Sequence, residues 1–242
     1  MLRQRSEAAE WMDAPGAPGF DAALHGLARI NRISFAAAPV LAFLERVARR
    51  HPGPLSILDV GAGGGDMLAR IARWAARRGV TVQLTGLDQS PQAAVHALAR
   101  GVPARWITAD LFAHEETHDV VICSLFAHHL RDAELERFLR WIAARARLGW
   151  LISDLHRHWL PWGVVWWGVR LLRMPPMVVH DGPISVARGF TRADWRRLLD
   201  QAGVAAEIRW AFPFRWQVGR IAHDAARRHR RGAGSSSPRD SA

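Results

Sequence analysis

Short apolar runs alternate with longer stretches of helical apolar spacing along most of this chain. Leu24, Leu27, Ile30 and Ile33 recur at helical spacing between Phe20 and Phe35, behind a breaker, APGAPG, at 14–19. A second helical stretch starts near Pro39 and runs through Leu41, Leu44 and Val47 to Arg50. The first strand is expected at Leu55–Val60, a run bounded by Pro54 and a glycine cluster. From there strands and helices alternate. Helices are predicted at 66–78 (stopped by Gly79), 91–100 (Ser90 as N-cap, Pro91 at the first position) and 132–147. The strands between them fall at 80–87, 105–108, 119–124 and 148–154. Thr191 and Asp194 form a capping box that opens a helix ended by Gly203, and two more strands close the pattern at 206–211 and 214–221. This order predicts an α/β fold with a mainly parallel sheet covered by helices on both faces.

One stretch breaks the alternation. Between 155 and 189 the chain is proline-broken and rich in tryptophan, with four tryptophans from Trp159 to Trp167. It reads as a helix packed on the sheet, an interfacial helix or a lid over an apolar pocket, followed by a turn at His180-Asp181-Gly182. The expected domains are a helical N-terminal cap at 1–50, a main domain at 51–221 carrying this insert, and a basic tail at 222–242, expected to be disordered.

Composition removes several chemistries. The chain has 242 residues, enough for one α/β domain, and neither lysine nor tyrosine, which excludes Schiff-base lysine, P-loop lysine and tyrosine acid–base catalysis. One cysteine, Cys123, rules out a disulfide framework and a cysteine zinc cluster, and no metal-ligand set is expected. The formal net charge is +11, read first as solvated helix faces, with anionic lipid or nucleic acid as the sharper alternatives. Met1–Glu10 is polar and lacks the apolar stretch of a secretion signal. The longest uncharged apolar run, Trp159–Val169, falls short of the ~20 residues that span a bilayer. The expected location is the cytoplasm, with room for peripheral contact at a membrane's inner face.

The chemistry concentrates where the first strand hands over to the first sheet-covering helix: Leu58-Asp-Val-Gly-Ala-Gly-Gly-Gly-Asp66. Glycines there allow close backbone approach, and the helix start offers free N–H groups. Asp59 would repel a pyrophosphate and attract an ammonium group, and the third glycine of the dinucleotide pattern is replaced by Asp66. Asp88, at the end of the second strand, can accept bonds from two ribose hydroxyls, and Asp110, after the third, can accept from an adenine amino group or cap a helix.

Together these residues resemble the S-adenosylmethionine site of class I methyltransferases. Asp59, Gly61, Gly63 and Gly65 match that family's first motif, Asp88 its ribose-binding acid and Asp110 its adenine-binding acid. The resemblance implies a Rossmann-like, doubly wound seven-stranded sheet with an antiparallel last strand. It also brings Gln89, Leu111 and Leu125 into the cofactor set. Ser124-Leu-Phe-Ala-His-His-Leu130 resembles small-molecule methyltransferases; the Asn/Asp-Pro-Pro-aromatic turn of nucleic-acid amino methyltransferases is missing. Residues after the fourth and fifth strands then face the transferred methyl, which makes His129, Asp154 and His156 the catalytic candidates. The layout is similar to methyltransferases of quinone, polyketide and phenolic-lipid pathways. The expected acceptor is a hydrophobic, aromatic small molecule, methylated on a phenol oxygen or a ring carbon. Membrane contact is expected through 159–177, and nucleic acid is placed outside the expected partners. The rival readings are an RNA methyltransferase and a non-catalytic cofactor-binding or membrane-associated protein.

Overall fold

A computed structural model describes residues 2–14 and 16–222. The basic tail expected at 222–242 therefore lies outside the described residues beyond Ala222. Two helices, α1 (Phe20–Ile33) and α2 (Ala37–Arg50), precede an alternating series. It runs β1 (Leu55–Val60), α3 (Asp66–Arg78), β2 (Val82–Asp88), α4 (Pro91–Ala99), β3 (Arg105–Thr108), β4 (His118–Ser124), α5 (Asp132–Arg145) and β5 (Ala146–Leu155). The chain closes with α6 (Trp159–Leu171), α7 (Pro176–Arg188), α8 (Arg192–Ala202), β6 (Glu207–Ala211) and β7 (Arg215–Ile221).

The seven strands form one sheet in the order β3-β2-β1-β4-β5-β7-β6. Strands β1 to β5 pair in parallel, and β7 runs antiparallel to both β5 and β6. The expected fold is the observed one: a doubly wound sheet with an antiparallel last strand. Its apolar strands alternate between two cores. Leu58, Val121 and Cys123 face α5 and α8, where Phe138 and Trp195 are fully buried. Ile57, Val120 and Ile122 face α2 and α3, with Phe43, Leu68 and Ile71. Phe138 is fully buried, so Phe138→Ala is expected to cost about 3–5 kcal/mol of stability, read from denaturant unfolding.

Local differences have local causes. The chain passes from α5 into β5 with no loop, so the helix ends at Arg145, two residues before the expected stop. Ser90 precedes α4 as expected, but its side chain makes no capping bond; its backbone N–H donates to Asp88 instead. The turn expected at His180-Asp181-Gly182 is helical, inside α7. Gly182 packs there against Val165 and Val169 of α6, and the buried Asp181 carboxylate accepts the N–H groups of Trp11 and Met12. The N-terminal cap is helical only from Phe20; before it lies an extended strap with one 3-10 turn at Trp11–Asp13. Among the described residues no single helix is long and apolar enough to cross a membrane. The pair α1 and α2, bent by 68°, passes that test jointly, yet α2 buries Val40, Phe43, Leu44 and Val47 in the core.

Candidate active site

The parallel strands all end on one edge of the sheet, and the turns that follow them build the site. After β1 the chain turns through Gly61–Gly65 into α3. Gly61 has φ +69°, and a Cβ there would lie 2.5 Å from the Phe126 ring. Gly65 has φ +72°, and a Cβ would lie 2.9 Å from Trp106. Both positions need glycine for conformation and for space. The Gly63 N–H donates to Asp88 Oδ2 at 2.8 Å, and the Ser90 N–H to Oδ1 at 2.9 Å. Each carboxylate oxygen keeps acceptor capacity for a further donor.

Asp59 lies beneath this turn, at 2% exposure, and its Oδ2 has no hydrogen-bond partner among the described residues. Burial, with Asp66 and Asp88 nearby, pushes its carboxyl well above the ordinary range. An acid so placed favours a cationic group beside it.

A cavity of about 1030 Å³ opens over these strand ends. Gly61, Asp88, Gln89, Asp110 and Leu111 line one part of it. Asp110 also does local work: its Oδ1 accepts the Phe112 N–H at 2.6 Å and caps the turn at Leu111–Ala113. Leu125 is not in the wall. It adopts φ +57°, a conformation costly for a branched residue, and thereby sends the next residue, Phe126, into the wall over Gly61.

His128 and His129, on a 3-10 turn after β4, form the other part. His128 is buried, and its Nδ1 lies 2.8 Å from Asp154 Oδ1 on β5. Asp154 is wholly buried and also accepts the backbone N–H groups of His128 and Leu155. Burial raises its carboxyl, but the charge of His128 and its hydrogen bond outweigh that and hold it below the ordinary range. Asp154 therefore orients His128 and does not reach the cavity. His129 Nδ1 lies 2.7 Å from Asp13 Oδ1, on the N-terminal strap. His156 is placed elsewhere: it pairs by backbone with Phe214, sits edge-on to Trp216 and is not in the cavity wall. Of the three catalytic candidates, the fold brings His129 to the cavity, puts Asp154 behind His128 and leaves His156 apart.

Glu10, like His128 and Asp13, is absent from the catalytic candidates read from the sequence. The strap carries it to the histidines, with Oε1 3.8 Å from His128 Nε2 and Oε2 3.9 Å from His129 Nε2. Burial raises its carboxyl to about 7, against the opposing pull of His129 and Arg188. Arg5 fastens the strap by donating to the carbonyls of Leu130 and Arg188 and to Asp132. Nothing in the local pattern of 2–13 signals this, because every partner lies more than 100 residues away.

Residues 57–149 match the family model described as a methyltransferase domain. The ubiquinone biosynthesis O-methyltransferase of Escherichia coli O157:H7 is 32% identical over 151 residues, which are 57% of this chain and 60% of that protein. The enzyme of the same name from Pectobacterium carotovorum is 29% identical over 136 residues, 52% of this chain and 54% of that protein. The chain thus spans little more than half the length of these curated relatives. Among solved structures, the magnesium protoporphyrin IX methyltransferase of Synechocystis PCC 6803 with bound S-adenosylmethionine aligns with a TM-score of 0.56 at 18% identity. The alignment covers 90% of this chain and all of that one. A plantazolicin methyltransferase aligns with a TM-score of 0.60 at 17% identity, over 83% of this chain and 77% of that one. The fold is that of the class I methyltransferases.

Proposed function

We propose that this chain, with a methyltransferase domain matched over 57–149, moves a methyl group from S-adenosylmethionine to a hydrophobic, aromatic small molecule. The observation that carries the reading is one continuous cavity with a ribose-type acceptor, Asp88, at one end and an oriented histidine pair at the other. The residues fit the cofactor. The unpartnered Asp59 carboxylate suits its ammonium group, Asp88 its ribose hydroxyls, and Asp110 with Leu111 its adenine. Gln89 stands next to the ribose position, and Leu125 acts by setting Phe126. Bound there, S-adenosylmethionine supplies a methyl group already activated on a sulfonium.

The chain's own residues then have little left to do except position and ionise. His128, held by Asp154, and His129, held by Asp13, meet the acceptor's hydroxyl and favour loss of its proton. For a ring-carbon acceptor the same pair would ionise the activating hydroxyl. Phe126 supplies an apolar wall. Labelled methyl transfer from S-adenosylmethionine over a panel of long-chain phenols, catechols and quinols tests the reading. Transfer to at least one such acceptor supports it; transfer to none, with cofactor bound, contradicts it.

The basic residues around the cavity favour a small molecule over RNA. Of the arginines lining it, Arg5 and Arg197 pair with Asp132 and Arg188 with Asp13, which leaves Arg3 and Arg131 without a carboxylate partner among the described residues.

The Trp-rich insert is the proposed peripheral contact, at the inner face of a membrane in a cytoplasmic protein. On α6, Leu160, Val164, Trp167 and Leu171 share one helical face and are all exposed, Leu171 at 84%. Arg29 and Arg170 lie beside it, Arg29 donating to the Leu172 carbonyl. An apolar stripe edged by arginine suits an anionic lipid surface. Trp167→Ser with Leu171→Ser is expected to reduce sedimentation with phosphatidylglycerol vesicles while leaving methyl transfer to a water-soluble acceptor intact. Equal sedimentation of variant and parent would remove the membrane reading.

A further inference from the structure

Both cavity histidines are held in the same way, and the convergence of their free nitrogens on one buried carboxylate is more than a base needs. Asp154 takes the Nδ1 side of His128 at 2.8 Å, and Asp13 takes that of His129 at 2.7 Å. In the neutral rings these bonds favour the proton on Nδ1 and leave Nε2 as a lone pair for an ion. The two Nε2 atoms face opposite oxygens of Glu10, at 3.8 and 3.9 Å. Those gaps are too long for hydrogen bonds. They exceed by a few tenths of an ångström the roughly 3.3–3.6 Å edge of a tetrahedral site with ligands about 2.0–2.2 Å from the ion, a gap that small side-chain rotations close.

We propose that Glu10, His128 and His129 bind one divalent transition-metal ion. Three further observations support this site. First, a carboxylate behind each imidazole is the usual support of a metal-bound histidine. Second, three carboxylates converge on the histidine pair. They are Glu10, Asp13 and Asp154, and among the described residues Arg188, 2.7 Å from Asp13 and 3.6 Å from Glu10, is the arginine that bridges two of them. Third, the ligands are fixed. Glu10 is 3% exposed and accepts the Ser185 hydroxyl at 3.0 Å, and the strap is tied down at Arg5 and at Trp11 and Met12.

The donor set selects the ion. Two imidazoles and one carboxylate suit zinc, ferrous iron or cobalt, whereas calcium and magnesium prefer oxygen donors alone. Three protein ligands leave positions open toward the cavity. The second part of the inference rests on the methyl-transfer reading. An acceptor with two neighbouring oxygens, a catechol or ortho-hydroxyquinone, would occupy the open positions, and the ion would lower the pKa of the hydroxyl that is methylated. The histidines then ionise the hydroxyl as ligands of the ion, and the proton goes to solvent.

The metal site is tested without cofactor or acceptor. Full-length protein stripped with chelator is titrated with Co²⁺, followed by calorimetry and visible absorption. One equivalent with tetrahedral or five-coordinate absorption bands is expected. His129→Gln and Glu10→Gln should abolish those bands, and Asp13→Asn should weaken binding about 10- to 100-fold. His118→Gln serves as control, because the buried His114 and His118 approach to 3.1 Å elsewhere in the fold and could take up metal. Circular dichroism confirms that each variant is folded. Unchanged Co²⁺ bands in both His129→Gln and Glu10→Gln, or loss of them in His118→Gln, would overturn the site. Methyl transfer that survives chelation in a protein that binds no Co²⁺ would overturn the metal and leave the methyl-transfer reading standing. Metal bound as described, with no transfer to any acceptor, would do the reverse.

Discussion

Asp88→Ala is expected to weaken S-adenosylmethionine binding by about 1.5–3 kcal/mol, roughly 10- to 150-fold, the usual value of hydrogen bonds to a charged acceptor. Its two oxygens already receive the Gly63 and Ser90 N–H groups at 2.8 and 2.9 Å, which fixes the carboxylate at the cavity wall. The ribose hydroxyls would add to a group that needs no rearrangement. Asp88→Asn keeps one carbonyl acceptor and should fall between parent and alanine. Calorimetric titration of the three proteins checks the order, and thermal melts show whether the glycine turn has held. Unchanged affinity in a folded Asp88→Ala protein would remove Asp88 from the cofactor site.

The second large effect is at the histidines. His128→Gln is expected to lower turnover about 100-fold or more, within the range of a lost acid–base group, with cofactor affinity unchanged. The side chain faces the cavity and is held by Asp154 at 2.8 Å. His156→Gln, by contrast, should leave turnover at the parental value, because His156 packs on Trp216 outside the cavity wall. Steady-state kinetics on any acceptor found in the panel separates the two. A loss in His156→Gln equal to that in His128→Gln would return the catalytic role to the residue that the sequence favours.

The contrast between those two histidines shows what the chain's pattern can and cannot reveal. Strand and helix order is local information: apolar runs at Leu55–Val60 and His118–Ser124, a proline at the first position of α4, a capped start at Arg192, and glycine stops at Gly79 and Gly203. The glycine turn and Asp88 are legible because each sits at a strand end, and strand ends share one edge of a parallel sheet. Asp154 is legible as a residue of that edge. Its direction is not, since the strand's alternation turns its carboxylate inward to His128. His156 follows by two residues but belongs to the chain's departure toward α6, where Phe214 takes its N–H. The strap is the least legible part. Glu10, Asp13 and Arg5 have no periodicity to mark them and gain their roles only when α7 and the turn after β4 are in place. The helical reading of Asp181 and Gly182 was hidden for the same reason, because their setting is made by α6 and the strap.

Cofactor choice is the most direct test of the site. Purified protein titrated separately with S-adenosylmethionine and with NADH should bind the first with micromolar affinity and one site, and should not bind the second. Binding of NADH alone would contradict the role assigned to Asp59, Asp88 and the glycine turn, and with it the methyl-transfer reading.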